Sequence, residues 1–295
     1  MGGVTVAWVD TILQGLLLGG LYALFATGLS LIFGVMRIVN LAHGDLSILA
    51  AFLAVVVVET LGLNPFVALA LVAPFMAALG YGLQTLVLNR LLGRGILPPI
   101  LVTFGLSIII QNALLEAFSA DSRRLNPGSI ETASLSLGSQ LAIGWFPFIT
   151  LVVAVLILVG LQYFISRLAV GRAFRATSDD QETAGLMGID NRRLYGLAMA
   201  LSLGIVAVAG IFLGIRTTFT FSSGPDRLLF AFEAVIIGGL GSLWGTLVGG
   251  AVLGIAQTMG AKLSPGWGIL SGHLVFLVVL LFRPQGLFAK AERIA

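Results

Sequence analysis

The sequence contains no cysteine and only two histidines, His43 and His273. The lack of cysteine excludes disulfides, thiolate nucleophiles and cysteine-ligated metal or iron–sulfur sites, but leaves the cellular compartment undetermined. Two histidines are too few for a histidine-rich metal centre. Charge is also scarce: 10% of the residues are charged, against roughly a quarter in an average soluble domain.

The composition is instead dominated by hydrophobic residues, which make up 58% of the chain and give a mean hydropathy of +1.06. Since a membrane helix needs about 20 apolar residues, the uninterrupted apolar runs predict spans at 9–34, 42–61, 65–90, 96–118, 146–166, 194–215 and 267–282. The first basic residue is Arg37. The first run therefore lacks the basic flank of a cleaved signal peptide, and we expect it to be the first span of the mature protein.

A further apolar stretch, 230–259, carries a single charge, Glu233, and many glycines. As one straight helix it would be about 45 Å long, too long for one untilted crossing of a roughly 30 Å core. We expect two shorter helices joined near Gly241 and Ser242. The predicted fold is an all-α polytopic membrane bundle of about eight or nine segments, including broken or re-entrant helices, in a single transmembrane domain over 1–295.

The basic residues indicate topology rather than nucleic-acid binding, although the sequence pI is about 9.7. Cytoplasmic loops are enriched in Lys and Arg. We therefore expect three regions on the cytoplasmic side: the loop with Arg90 and Arg94, the loop 167–193 with its arginines, and the C-terminus with Arg283, Lys290 and Arg293. The segment 119–145 then lies on the extracytoplasmic side. Nine crossings with an external N-terminus follow, or eight if one helix is re-entrant.

One polar loop, 167–193, holds nine of the chain's charged residues, five of them arginines. Charge is costly in a bilayer, so this loop lies in water. Glu182, Ala184 and Gly188 form an E-x-A-x3-G pattern, which in a helix places Ala184 and Gly188 on one face as a shallow spot for another protein. Asp179 and Asp180 precede the pattern, and acidic residues favour a helix N-terminus. We therefore expect a short amphipathic helix at the membrane surface; the alternative is an ordinary loop that only enforces topology.

The loop pattern resembles the coupling motif of permease subunits in ATP-binding-cassette importers. Its flanking sequence, GRAFRA at 171–176 and GID at 188–190, is similar to the branched-chain amino-acid permeases of that superfamily. Two more blocks match that family: GLSLIFG at 28–34 running on to NLAHGD at 40–45, and GGLGSLWG at 238–245. Three blocks in the same order along most of the chain make the resemblance global.

The resemblance implies a non-catalytic permease of a prokaryotic cytoplasmic membrane that carries branched-chain or other neutral amino acids. The implied partners are a second permease subunit, identical or different, two cytoplasmic ATPases that bind ATP and Mg²⁺, and an extracytoplasmic binding protein. The chain itself has no G-x4-G-K-[ST] phosphate loop, so it needs an external motor; no cofactor and no nucleic acid are expected on it. The residues that the resemblance assigns to ATPase coupling are Gly171, Arg172, Arg175, Asp180, Glu182, Ala184 and Gly188.

Polar residues at membrane depth are the candidates for a translocation pathway. Asn40, His43 and Asp45 match the family's N-x-A-H-G-[DE] block, but His43 and Asp45 equally suit a structural role at a helix break. Glu233 is expected to pair with Arg216 or Arg227 near the outer boundary; the alternative is that it meets a substrate ammonium or the binding protein.

Glycines near the C-terminal block have two interpretations. Gly241, Gly245 and Gly249 recur every four residues and, with Gly238 and Gly239, indicate either close helix packing or an interface that slides during transport.

Other functions fit the sequence less well. The same architecture transporting urea or short-chain amides is one alternative, and a self-contained ion-driven transporter is another, although no internal repeat is visible. The absence of a G-x-S-x-G elbow and of an H-E-x-x-H spacing argues against an independent membrane enzyme.

Overall fold

A computed structural model describes residues 2–93, 95, 97–130, 132–136 and 142–288. Three basic residues used for the topology, Arg94, Lys290 and Arg293, lie outside the described residues. The helices are α1 (Gly2–Met36), α2 (His43–Leu61), α3 (Pro65–Leu86), α4 (Leu97–Phe118), α5 (Trp145–Arg167), α6 (Ala169–Asp179), α7 (Gln181–Leu186), α8 (Asn191–Arg216), α9 (Gly224–Gly238), α10 (Leu243–Leu263) and α11 (Trp267–Phe282). A 3-10 turn at Leu88–Arg90 follows α3, and strands β1 (Ser134–Ser136) and β2 (Ala142–Gly144) form an antiparallel hairpin before α5.

The seven predicted spans are confirmed as helices α1 to α5, α8 and α11, with ends that differ from the predicted ends by a few residues. Local signals explain several ends. Asn64 caps α3 by accepting a hydrogen bond from the amide of Phe66 at 3.0 Å, and Pro65 occupies the first helical position, where its missing N–H costs nothing. Within the described residues, seven helices are long and apolar enough to cross a membrane: α1 to α5, α8 and α10.

The stretch 230–259 is divided between two helices, as predicted. Helix α9 ends at Gly238 and α10 begins at Leu243. Gly239 and Gly241 have φ values of +103° and +77°, a region that glycine enters without the steric penalty of a Cβ atom. Ser242 then caps α10 by accepting from the amide of Gly245 at 3.1 Å. The expected glycine stripe is therefore wrong at Gly241, which belongs to the turn and not to the helix.

Two helices are short for a crossing. Helices α9 and α11 have 15 and 16 residues, or about 22–24 Å at 1.5 Å per residue, less than a roughly 30 Å hydrocarbon core. Segments of this length match the expected broken or re-entrant helices.

The described chain divides into two compact units. The first comprises Met1–Ser30, Gly128–Leu158 and Phe230–Ala295. In it α10 packs against neighbouring backbones through its glycines: a Cβ atom on Gly250 would lie 2.6 Å from the carbonyl oxygen of Gly19 in α1, and one on Gly249 would overlap the carbonyl oxygen of Ala234 in α9. This geometry fits the interpretation of Gly245 and Gly249 as close-packing residues, because any larger side chain would separate the helices.

The second unit comprises Leu31–Pro127 and Val159–Leu229. Its central helix, α8, packs against both α2 and α3. A Cβ atom on Gly80 in α3 would lie 2.7 Å from the carbonyl oxygen of Met199, and one on Gly210 would overlap the carbonyl oxygen of Ser47 in α2. Glycine thus sets the helix spacing in this unit as well.

Candidate functional site

The polar loop folds into two helices, α6 and α7, so the prediction of a short helix in this loop is confirmed. Asp180 separates them in an extended conformation and is the N-cap of α7. Its carboxylate accepts from the amides of Glu182 and Thr183 at 2.9 and 3.0 Å and from the Thr183 hydroxyl at 2.6 Å. These bonds favour the ionised form, and those from Thr183 are the main reason that the pKa of Asp180 lies below its usual value.

The end of α7 differs from the predicted geometry. The helix stops at Leu186, and Gly188 follows with φ +84°. The amide of Ile189 donates to the carbonyl of Ala184 at 3.1 Å and that of Gly188 donates to Gly185 at 3.0 Å, the two bonds of a Schellman motif. Gly188 therefore terminates the helix. Ala184 is buried, so the expected shallow spot formed by Ala184 and Gly188 on one helix face is wrong.

The C-terminal end of α7 carries an exposed apolar tip: Leu186, the last residue of the helix, and Met187, its C-cap, are 84% and 79% exposed. The charged side chains of Arg172, Arg175 and Glu182 are exposed on the same two-helix element. An exposed apolar pair within a polar loop is the arrangement expected where another protein binds.

Side chains fix this element to the membrane helices of the second unit. The Ser178 hydroxyl donates to the carbonyl oxygen of Gly34 in α1 at 2.5 Å. Asn191, the first residue of α8, accepts from Thr177 at 2.9 Å and donates to the carbonyl of Gln181 at 2.7 Å. Gly171 lies so close to α5 that a Cβ atom would overlap the backbone of Phe164. These contacts join α6 to α1 and α5, and they join both α6 and α7 to the start of α8.

The N-x-A-H-G-D block forms the turn before α2 and the first turn of that helix. The Asn40 side chain accepts from the amide of Ala42 at 3.0 Å, and its carbonyl accepts from the amide of His43 at 3.2 Å. His43 begins α2 and is fully buried. These bonds show that Asn40 shapes the turn that allows α2 to begin here.

Asp45 is bound by two side chains of α4. Its carboxylate accepts from the Ser107 hydroxyl at 2.5 Å and from the Gln111 amide at 3.0 Å. The start of α9 lies against the same place, since a Cβ atom on Gly44 would overlap the carbonyl oxygen of Gly224. The first turn of α2 thus joins α4 and α9 within the second unit, and Asp45 favours this helix start electrostatically.

Glu233 has a different partner from the expected one. It is 1% exposed in α9, and one carboxylate oxygen, Oε1, contacts Nδ1 of His273 in α11. The expected pairing with Arg216 or Arg227 is therefore wrong. Its other oxygen, Oε2, is buried without a hydrogen-bond partner among the described residues.

Aromatic and amide groups of the first unit surround this pair. Phe230 stacks on the His273 ring with centroids 6.0 Å apart, and Tyr22 packs on Phe230 at 5.2 Å. The Tyr22 hydroxyl donates to the carbonyl oxygen of the Gln257 side chain at 2.5 Å. Glu233, His273, Phe230, Tyr22 and Gln257 thus form a polar and aromatic cluster, named the Glu233 cluster below.

Sequence reasoning missed several of these groups. Ser107 and Gln111 are four residues apart in an apolar helix, a spacing that places two polar side chains on one face and is visible in the sequence. The contact of His273 with Glu233 was also not predicted, since His273 was considered only as a possible metal ligand. In the described part of the chain, no group of three or more acidic or histidine side chains is placed to hold a metal ion.

Comparison with known proteins places these features in a family. Residues 11–282 match the family model described as the branched-chain amino acid transport system / permease component. The permease BraD of Pseudomonas aeruginosa is 31% identical, with 97% of both chains covered, and LivH of Escherichia coli is 28% identical over 97% of this chain and 96% of LivH. LivM of Escherichia coli is 24% identical over 96% of this chain and 72% of LivM. The chain is a multi-pass membrane protein that belongs to the branched-chain amino acid permease family.

Proposed function

We propose that this chain is the permease subunit of an ATP-driven importer that moves branched-chain amino acids into a prokaryotic cell across the cytoplasmic membrane. The relatives BraD and LivH are named as permeases of high-affinity branched-chain amino acid transport systems. One observation on this chain carries the proposal: a two-helix element with an apolar tip lies between two membrane spans and is held by hydrogen bonds to α1 and α8. The arginines of this element favour the cytoplasmic side. Such an element serves to receive force from outside the membrane.

Two partner ATPases, which bind ATP and Mg²⁺, supply that force. We expect Leu186 and Met187 to insert into an apolar groove on an ATPase, because burial of exposed apolar surface is the main driving force for association. Arg172, Arg175 and Glu182 then form the polar rim of this contact. Closure of the ATPases displaces α7, and the bonds of Ser178 and Asn191 carry the displacement to α1 and α8.

The remaining partners are a second permease subunit and an extracytoplasmic binding protein. A single chain with two short helices, α9 and α11, does not by itself enclose a pathway in this proposal; two permease subunits form it together. The binding protein delivers the amino acid and provides most of the selectivity. No cofactor is bound by this chain.

For the pathway candidates the geometry favours different roles. Asn40 and Asp45 have their side-chain oxygens bonded to neighbours in the fold, which supports a structural role. Glu233 retains a buried carboxylate oxygen without a partner. A carboxylate of this kind suits the ammonium of an amino acid once the pathway opens, and the rings of Phe230 and Tyr22 suit its apolar side chain.

The test is reconstitution of the chain with its second permease subunit, its ATPases and its binding protein in liposomes. ATP-dependent accumulation of leucine, isoleucine or valine supports the proposal. ATP-dependent accumulation of urea or acetamide, without accumulation of these amino acids, assigns the importer a different substrate. Uptake driven by an ion gradient without any ATPase contradicts the importer assignment.

A further inference from the structure

A cavity lies beside the two-helix element of α6 and α7, within the second unit. Its volume is about 260 Å³. It is lined by residues 36–39 at and after the end of α1, by residues 91–93 and 95 after the 3-10 turn, by Pro99 of α4, by Gln181 of α7 and by Tyr195 of α8. The cavity therefore lies where the two-helix element meets the membrane helices.

Three polar side chains face this cavity: Arg37, Gln181 and Tyr195. Tyr195 is 3% exposed, and its hydroxyl has no hydrogen-bond partner among the residues that the structure describes. A hydroxyl that borders a cavity and makes no hydrogen bond to the protein can donate to a ligand there. Because Arg37 adds a positive charge and none of the described lining residues is acidic, the ligand is expected to be an anion.

The rest of the lining is apolar and includes Val39, Leu91 and Leu92. At roughly 30 Å³ for each water-sized group, the volume accommodates a molecule of about nine non-hydrogen atoms. Leucine and its 2-oxo acid each have this size. Apolar side chains together with a few polar groups are the usual composition of a small-molecule site.

We propose that this cavity binds a small carboxylate with a branched apolar chain from the cytoplasmic side and that its occupancy slows ATP-driven transport. The carboxylate accepts from Tyr195 and Arg37, while the branched chain packs against Val39, Leu91 and Leu92. A bound molecule joins Gln181 of α7 to α1 and α8 and so restricts the displacement of α7. The inference rests on the proposed function, because the imported amino acid, or the 2-oxo acid formed from it by loss of the amino group, is the source of this carboxylate inside the cell.

The test uses the complete complex of permeases and ATPases in nanodiscs of neutral phosphatidylcholine, without the binding protein. The probes are L-leucine, 4-methyl-2-oxopentanoate and 3-methylbutylamine, which lacks the carboxylate. We expect one or both carboxylates to bind in calorimetry and to lower the ATPase rate, and the amine to do neither. The probe that acts identifies the source of the ligand.

Two variants locate the binding. Tyr195→Phe removes one hydroxyl and is expected to weaken binding by about tenfold, the usual effect of losing a hydrogen bond to a charged group. Val39→Trp fills the cavity and is expected to abolish binding. Arg90→Gln is the matched control, since Arg90 lines a neighbouring cavity but not this one, and it should leave binding and inhibition unchanged.

Absence of binding by both carboxylates, stimulation of the ATPase, or equal binding to the wild type and both cavity variants would overturn the inference. Uptake of leucine by the complete system with its binding protein is measured on the same preparation. If leucine is transported but the cavity binds nothing, only this inference fails. If none of leucine, isoleucine and valine is transported, the proposed function fails.

Discussion

Asn191, the first residue of α8, holds the first residue of α7 through a 2.7 Å hydrogen bond from its side chain to the carbonyl oxygen of Gln181. The same side chain accepts from Thr177 of α6 at 2.9 Å. One asparagine at the start of a membrane helix therefore binds both helices of the two-helix element. This arrangement joins the site that is proposed to contact an ATPase to a helix that is buried along most of its length.

Replacing Asn191 should uncouple ATP hydrolysis from transport. Asn191→Ala removes two hydrogen bonds, each contributing about 1 kcal/mol, but leaves the apolar tip intact. We expect normal assembly with the ATPases and a lower number of amino acids transported per ATP hydrolysed. An unchanged ratio in assembled complexes would show that this bond does not transmit movement.

Charging the apolar tip should prevent assembly. Leu186→Glu or Met187→Glu places a charge at a contact that is proposed to be apolar, so copurification with the ATPases should be lost. Ala176→Glu is the control, because Ala176 is exposed on α6 of the same element but outside the tip. Equal copurification of the tip variants and the control would refute docking through Leu186 and Met187.

Substitutions at Gly188 test the same proposed contact with an ATPase through the backbone conformation beside the tip. Gly188→Trp should also block docking: it adds bulk beside the tip, and its left-handed conformation, φ +84°, costs other residues of order 1 kcal/mol or more. Asparagine tolerates this conformation better than most residues, so Gly188→Asn should assemble. Normal assembly and substrate-stimulated ATPase activity in the tryptophan variant would contradict this prediction.

Glu233→Gln tests the proposed ammonium contact. The substitution keeps the shape of the side chain but removes its charge. Transport should fall by at least about tenfold, because a hydrogen bond to a charged group contributes about 1.5–3 kcal/mol, while assembly remains normal. If the variant transports at the wild-type rate, the carboxylate serves only to hold His273 and α11.

Asp45→Asn should lower stability and leave transport unchanged, the reverse of Glu233→Gln. An asparagine amide cannot accept from both Ser107 and Gln111 in the observed arrangement, so a donor is left unsatisfied at a cost of about 1–3 kcal/mol. The melting temperature should fall, and transport per folded complex should not. A double-mutant cycle with Ser107→Ala measures the coupling directly; zero coupling would mean that the two side chains do not interact in the protein.

The helices were predictable because each depends on local information. The apolar runs located α1 to α5, α8 and α11, and the length of the stretch 230–259 required the break between α9 and α10. Asp180 as an N-cap was also visible in the sequence, because a short acidic side chain before a helix has one obvious role.

Partners distant in sequence were not predictable. Glu233 and His273 are forty residues apart on different helices, and no local pattern indicates that α9 and α11 bring them together. The sequence predicted an arginine as the partner of Glu233 because an arginine carries the opposite charge. Likewise, the spacing of Ala184 and Gly188 suggested one helix face, but the left-handed conformation of Gly188 ends the helix first.

The most direct test of the central claim is leucine uptake by proteoliposomes that contain both permease subunits, with the binding protein present and the ATPases either included or omitted. We predict accumulation that requires both ATP and the ATPases and that is lost in Leu186→Glu. Accumulation without the ATPases, driven by an ion gradient, would contradict the account.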